Sequence, residues 1–169
     1  MELAVVAFME TTIFERAWRI WGMENFMIDM LSNPDMATLL LDKITGISSF
    51  MAKRFAESDV DIIKLGDDIG SQNTMIMHPD MWHRWLKLRL AKIINIIKKI
   101  KPEALIYYHT DGYIEPVIPD LIDIGVDILN PVQPECMDPV KLTSVKINVI
   151  RRYILGQARR TNEAKKVYQ

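Results

Sequence analysis

The sequence predicts an α/β fold built on a parallel sheet, and three observations lead to this prediction. Short apolar runs of strand length recur along the chain, and helix-like sequence separates them. Three of these runs end abruptly in polar side chains of the kinds that take part in catalysis and ligand binding. Alternation of strands and helices is typical of parallel sheets with right-handed crossovers. Buried strands that deliver polar groups at their carboxyl ends are how α/β barrels build active sites.

The first third of the chain contains one strand and two main helices. Residues 3–8 are continuously apolar, which suits a buried parallel strand. Thr12 and Glu15 have capping-box spacing and predict a helix that runs to about Trp21. Asn33 and Pro34 then predict the N-cap and first turn of a long helix that ends near residue 57.

The inner face of this long helix is predicted from near-helical spacing of its apolar side chains. The residues assigned to that face are Leu39, Leu40, Ile44, Ile47, Phe50, Met51 and Phe55.

The remaining elements repeat the same alternation. Strands are predicted at residues 60–65, 104–108 and 126–129, and helices from Pro79 to near Ile100 and over residues 114–124. Residues 66–77 form a loop whose length is typical of functional loops. A further helix is predicted to begin at Asp138-Pro139.

This order of elements fits more than one topology. Four β/α units are half of an eight-stranded barrel, and a flavodoxin-like open sheet has a similar count of strands. A Rossmann domain is disfavoured, because no Gly-x-Gly-x-x-Gly motif follows any predicted strand, and the chain has no Walker A motif.

Composition narrows the possible partners and the compartment. The formal net charge is -1 and the pI is about 6.3, so we expect no nucleic-acid partner. The lone cysteine, Cys136, excludes an internal disulfide and fits a reducing compartment. No apolar run is long enough to span a bilayer, and the first residues are a poor signal peptide. We therefore expect a cytoplasmic protein without a membrane partner.

His109 and Asp111 are the first candidates for catalysis. They lie two residues apart at a strand end, so their side chains point the same way if strand geometry persists. An imidazole and a carboxylate on one side can bind a divalent metal or act as an acid/base pair. The competing interpretation is a simple Asp111-Gly112 turn preceded by a hydrogen-bonded histidine.

Asp67 and Asp68 form a second candidate catalytic pair. Neighbours on a strand face opposite ways, so at most one of them is expected to face a central cavity. The other is expected to cap a helix or to bind backbone amides of the following loop.

Substrate-binding roles are predicted for Asn130, Gln133 and Tyr107. Asn130 and Gln133 flank Pro131 and carry amides that can orient a ligand. Glu135 and Cys136 follow, and the cysteine is either a thiolate ligand or chemically inert.

Together these segments resemble the uroporphyrinogen decarboxylase superfamily. The resemblance rests on WRIWGM (residues 18–23), DVDIIKLGDDIGSQ (59–72), HPDMW (78–82), HTDG (109–112) and IGVDILNPVQPECMD (124–138), and it covers about residues 3–142. It implies a (β/α)8 TIM barrel, present here as a partial barrel of about four β/α units in a domain spanning residues 1–142. It also implies that Asp67, Asp68, His109, Asp111 and Gln133 face one cleft at the strand ends.

The superfamily implies two chemistries. One is cofactor-free decarboxylation of uroporphyrinogen in porphyrin and haem biosynthesis. The other is methyl transfer to or from a corrinoid or a thiol, with a corrinoid protein as possible partner. In thiol-methylating members zinc is held by a His-x-Cys pair at this strand end and by a more distant cysteine. Here His109 matches and Asp111 replaces the first cysteine, so zinc is expected on His109 and Asp111.

Residues 143–169 depart from the resemblance and form a divergent basic tail. The chain therefore looks like a fragment of such an enzyme, expected to be marginally stable, oligomeric or inactive alone. We lean toward methyl transfer on a small-molecule substrate. A non-catalytic remnant that binds a small molecule or a partner subunit is the alternative from another class.

Overall fold

The computed structural model describes residues 4–142 and contains a four-stranded, all-parallel sheet. The strands are β1 (Val6–Phe8), β2 (Ile62–Gly66), β3 (Leu105–His109) and β4 (Ile128–Asn130). The helices are α1 (Phe14–Trp21), α2 (Met23–Ser32), α3 (Pro34–Ala56), α4 (Pro79–Trp82), α5 (Leu88–Ile100), α6 (Ile118–Asp123) and α7 (Pro139–Leu142). A π-helical segment (His83–Lys87) joins α4 to α5, and a 3-10 turn (Glu115–Val117) precedes α6. The predicted alternation of strands and helices is confirmed.

The order of the strands decides between the two topologies that the sequence left open. The sheet order is β1-β2-β3-β4, so each strand pairs with its neighbour in the chain. A flavodoxin-like sheet would place β1 between β2 and the third strand. A sequential order, with right-handed crossovers that all progress in one direction, is that of a (β/α)8 barrel. The predicted partial barrel of four β/α units is confirmed.

The two faces of the sheet differ in their environment. One face is buried, and it carries Ile63, Leu65, Ile106, Tyr108 and Leu129. The side chains that alternate with these are half-buried or exposed, and they include Val6, Phe8, Ile62, Lys64, Leu105, Tyr107 and His109. In a barrel the second face lines the interior.

The long helix α3 begins where the sequence predicts, and its predicted inner face is confirmed in part: Ile44 is buried, and Leu40, Met51 and Phe55 pack against the core. Asn33 is its N-cap and Pro34 its first residue. However, Leu39, Ile47 and Phe50 are 56%, 54% and 64% exposed, so their assignment to the inner face is wrong. The buried face of α3 is formed by small and mixed side chains: Ala37, Leu41, Ile44, Thr45, Ser48, Ala52 and Ala56. Close packing against neighbouring helices selects this face, since small residues allow backbones to approach.

The predicted capping box at α1 is also wrong. Ile13 is the N-cap, and no side chain of the helix's own sequence caps it. The Thr12 hydroxyl accepts a hydrogen bond from the Gly66 amide at 2.9 Å, and the Glu15 carboxylate accepts one from the Asp68 amide at 3.2 Å. These two residues therefore connect the start of α1 to the end of β2.

Other local predictions hold. The Asp138 carboxylate accepts a hydrogen bond from the Val140 amide at 2.9 Å at the start of α7. Gly125 follows α6 with φ +99°, a conformation that favours glycine. Across residues 4–142 none of the helices combines the length and the apolar character that crossing a membrane requires. The basic tail predicted at residues 143–169 lies outside the described residues.

Candidate metal centre and ligand cleft

Strand register brings the polar tips of three strands side by side. Gly66 at the end of β2 is in register with His109, and His109 is in register with Asn130 at the end of β4. Because the strands are parallel, the residues that follow them emerge at one edge of the sheet. Asp68 and Asp111 therefore lie next to His109 although they are distant in sequence.

Asp68, His109 and Asp111 form a cluster that has the geometry of a metal centre. Each residue offers one ligand atom, and these atoms all lie within 4.8 Å of one another. All three side chains are half-buried. One imidazole and two carboxylates are a donor set suited to zinc and to harder divalent cations. The residues present therefore fit the zinc ion that was expected on His109 and Asp111, and the structure adds Asp68 as a third donor.

A hydrogen bond from a neighbouring strand orients His109. Its Nδ1 lies 3.0 Å from Oδ1 of Asn130, which acts as the acceptor. With the proton on Nδ1, the lone pair of Nε2 is available to a metal ion. Asn130, predicted to bind substrate, is placed by the structure as the partner that fixes the imidazole.

Backbone and amide contacts hold the loop that carries Asp111. Asp68 Oδ1 accepts a hydrogen bond from the Asp111 amide at 2.9 Å. Gln133 Oε1 accepts one from the Gly112 amide at 2.7 Å, and Gln133 Nε2 lies 3.4 Å from Asp111 Oδ1 as a donor. Gln133 thus joins the end of β4 to the carboxylate of the cluster.

Asp67 lies apart from this cluster. It is 3% exposed, and its carboxylate accepts hydrogen bonds from the Ile13 amide at 2.9 Å and the Glu15 amide at 2.9 Å. Burial raises the pKa of this carboxyl to about 7, against the lowering effect of these amides. Asp67 and Asp68 face opposite ways, as the sequence predicts for neighbouring residues at a strand end. Asp68 lies in the cluster, and Asp67 lies at the start of α1. The catalytic role predicted for Asp67 has no support in its contacts.

A cleft of about 450 Å³ opens beside Asp111. Its lining residues come from the loops after three strands: Gly70, Ser71, Gln72, Asp111, Gly112, Gln133, Glu135 and Cys136. Gly112 has φ +83°, and a Cβ there would lie 2.5 Å from the Gly70 carbonyl carbon. Only glycine permits this close approach of the two loops. The cleft therefore opens at the edge of the sheet where the three strands end, next to a carboxylate of the cluster.

The comparisons with known proteins agree with this architecture. The family model described as uroporphyrinogen decarboxylase (URO-D) matches residues 3–155. The chain belongs to the uroporphyrinogen decarboxylase family. Among solved structures it is similar to a methyltransferase from Methanosarcina mazei, with a TM-score of 0.69 and 24% sequence identity. The likeness covers 89% of this chain and 41% of that one, so the chain spans less than half of the methyltransferase's length. No curated protein matches the sequence.

Within the uroporphyrinogen decarboxylase fold, the structure brings His109 and Asp111 together as the sequence predicts and adds one residue to them. Asp68 was predicted as catalytic, and its place beside His109 and Asp111 as a third metal donor was not predicted. The carboxylate pair after a strand end is visible in the sequence. The register of β2 against β3, which places Asp68 beside His109, is visible only in the sheet. Cys136 is half-buried in the cleft, where its thiol lies 3.5 Å from Gln133 Oε1, and it is not part of the described cluster.

Tyr107 lies two residues before His109, on the face of the sheet that the helices leave open. Its half-buried ring is in register with Lys64. The predicted role of Tyr107 in substrate binding remains a prediction, and its position in the interior face of the uroporphyrinogen decarboxylase barrel is compatible with that role.

Proposed function

We propose that this chain carries the metal-binding part of a methyltransferase of the uroporphyrinogen decarboxylase family. The observation that supports this proposal is the cluster of Asp68, His109 and Asp111, whose donor atoms lie within 4.8 Å of one another. The chemistry we favour is corrinoid-linked methyl transfer, with a zinc ion at this cluster. Bound zinc would supply a Lewis acid that lowers the pKa of a coordinated acceptor.

The residues of the chain have separate tasks in this proposal. Asn130 holds the imidazole of His109 in one tautomer, so that Nε2 faces the ligand. Gln133 binds the Asp111 carboxylate and the backbone of the same loop. The cleft beside Asp111 receives the small-molecule substrate, and its Gln72 and Ser71 offer polar groups for orientation.

The proposed partners follow from the same chemistry. A methyl group carried on a corrinoid requires a corrinoid protein that docks at the mouth of the strand ends. Support comes from the similarity in fold to a Methanosarcina mazei methyltransferase. That similarity concerns fold, and the corrinoid partner itself is part of the proposal.

Metal analysis of purified protein tests the cluster. We expect about one zinc ion per chain after dialysis, and loss of that zinc in His109→Ala and in Asp68→Ala. His78→Ala is the matched control, because His78 is exposed and its ring accepts a hydrogen bond from the Asp80 amide at a helix start. Zinc binding that survives both cluster variants, or its absence in the unaltered chain, would contradict the proposal.

Decarboxylation is the second candidate, and the description of the matching family model favours it. Uroporphyrinogen decarboxylation requires no cofactor, so chelation separates the two candidates. Decarboxylase activity that persists in metal-depleted protein supports the second candidate. Methyl transfer that is abolished by chelation and restored by zinc supports the first.

A further inference from the structure

Lys64 lies on the open face of the sheet and has no role in the site described above. It is the third residue of β2, and its neighbours Ile63 and Leu65 point into the buried core. Alternation along a strand therefore places the Lys64 side chain on the opposite face, which also carries Tyr107 and His109. A lysine at this position is half-buried among apolar side chains.

Two aromatic rings hold the ammonium group of Lys64. Its Nζ lies 4.5 Å from the centre of the Phe8 ring and 5.6 Å from the centre of the Tyr107 ring. Such contacts stabilise a cation through the faces of the rings. Neither ring supplies an oxygen acceptor, so the ammonium can still donate a hydrogen bond to an anion.

The other half-buried lysines of residues 4–142 are paired with carboxylates. Lys87 pairs with Asp120, Lys98 with Asp127 at 2.8 Å, and Lys101 with Asp59 at 3.8 Å. In the same described part of the chain, Lys64 forms no ion pair with any carboxylate. A partly desolvated cation that lacks an anionic partner favours the binding of an anion.

The position of Lys64 relates it to the metal cluster. Lys64 is in register with Tyr107, and Gly66 is in register with His109. Two residues along a parallel strand correspond to roughly 7 Å. The backbone of Lys64 thus lies about two residues below the level of His109 on the neighbouring strand, and both side chains project from the same side of the sheet.

We propose that Lys64 binds an anionic group of the substrate while another part of the same molecule occupies the Asp68, His109 and Asp111 cluster. This inference rests on the proposed function for the location of the reacting end. It defines the substrate class as a small molecule that carries a carboxylate or similar oxyanion apart from the group that binds at the cluster. Phe8 and Tyr107 restrict the lysine side chain, so less conformational entropy is lost when the anion binds.

Glutarate and butyrate are suitable probes for the experiment. They have similar carbon skeletons, and only glutarate has a second carboxylate for Lys64. Dissociation constants would be measured by chemical-shift titration of the full chain, both zinc-loaded and metal-free, for the unaltered protein, Lys64→Met and Lys64→Arg. Lys92→Met is the matched control, because Lys92 is an exposed lysine of α5.

We expect the unaltered chain to bind glutarate about tenfold more tightly than butyrate, as one charge-assisted hydrogen bond allows. Lys64→Met removes this preference, Lys64→Arg retains a part of it, and Lys92→Met leaves it unchanged. Circular dichroism confirms folding of the methionine variant, whose thioether can pack between the two rings.

The inference is overturned if Lys64→Met keeps the preference for glutarate, or if neither form of the unaltered chain shows one. Failure of zinc to bind, with a Lys64-dependent preference in the metal-free chain, would instead refute the metal proposal and leave the role of Lys64 standing.

Discussion

The buried carboxyl of Asp67 makes the stability of this protein depend on pH in a specific direction. Its folded pKa is about 7, and its ordinary value is 3.8. Below the ordinary value the carboxyl is neutral in both the folded and the unfolded chain. As the pH rises toward 7 the unfolded chain loses this proton first, so the free energy of unfolding falls.

The size of the effect follows from the two pKa values. Their difference corresponds to about 4 kcal/mol of unfolding free energy over the full range of titration. Between pH 5 and pH 8 the contribution of Asp67 should decrease by roughly 2.5 kcal/mol. The Ile13 and Glu15 amides remain bound to the carboxyl oxygens, and above pH 7 they partly offset the cost of the buried charge.

Asp67→Asn is the perturbation that isolates this effect. The amide oxygen of asparagine can accept from both Glu15 and Ile13, since Asp67 Oδ1 lies 2.9 Å and 3.1 Å from these amides. The variant therefore retains the acceptor and lacks the titration. Its stability relative to the unaltered chain should increase by roughly 2.5 kcal/mol as the pH rises from 5 to 8.

The assay is urea unfolding followed by circular dichroism at several pH values, with both proteins measured side by side. The difference between the two proteins cancels the contribution of every other titrating group that the substitution leaves unaffected. A difference that stays constant from pH 5 to pH 8 would refute the argument, because it would show that the folded carboxyl, like the unfolded one, is ionised throughout this range.

Two further substitutions test the packing around the site. Gly112→Ala should destabilise the fold by about 2 kcal/mol or more, because its φ of +83° and its close backbone contact exclude a Cβ. The control is Gly46→Ala in α3, which should stabilise the fold slightly, since a Cβ there meets no atom within 4 Å. Equal effects of the two alanines in thermal unfolding would contradict this. Asp127→Ala should cost about 1–3 kcal/mol in urea unfolding, since its carboxylate binds Lys98 Nζ and the Ile106 amide, each at 2.8 Å. If Lys98→Met lowers the free energy of unfolding by as much as Asp127→Ala does, the ion pair, and not the hydrogen bond from the Ile106 amide, provides most of the stabilisation.

Local sequence patterns predicted the four strands and most of the helices, because they depend on short-range properties of the chain, whereas α2 was not predicted. Pro34 at a helix start and Gly125 after a helix end marked boundaries that the structure confirms. Apolar runs located all four strands to within about three residues of their ends. The polar residues after β2 and β3 are predicted as site residues for the same reason, since they directly follow strand ends.

Sequence patterns predicted side-chain contacts less accurately where the partner is distant in sequence. Thr12 and Glu15 match a local cap by spacing, yet their side chains bind backbone amides of Gly66 and Asp68. The cap of α1 comes from Asp67, which is more than fifty positions away in the chain. Similarly, the apolar spacing on α3 identified only a part of the buried face, because the neighbouring helices determine which side can pack closely.

The sequence by itself determined that this chain is an α/β protein of the uroporphyrinogen decarboxylase family, and it predicted a site at the strand ends around His109 and Asp111. Apolar periodicity, helix punctuation and short motifs are local, and they can be read without coordinates. Only the tertiary structure decided that Asp68 completes the cluster, that Asp67 caps α1, and that Lys64 faces the interior with no carboxylate partner among the described residues. The physical reason is strand register, since the alignment of β2 with β3 fixes which side chains of distant segments meet.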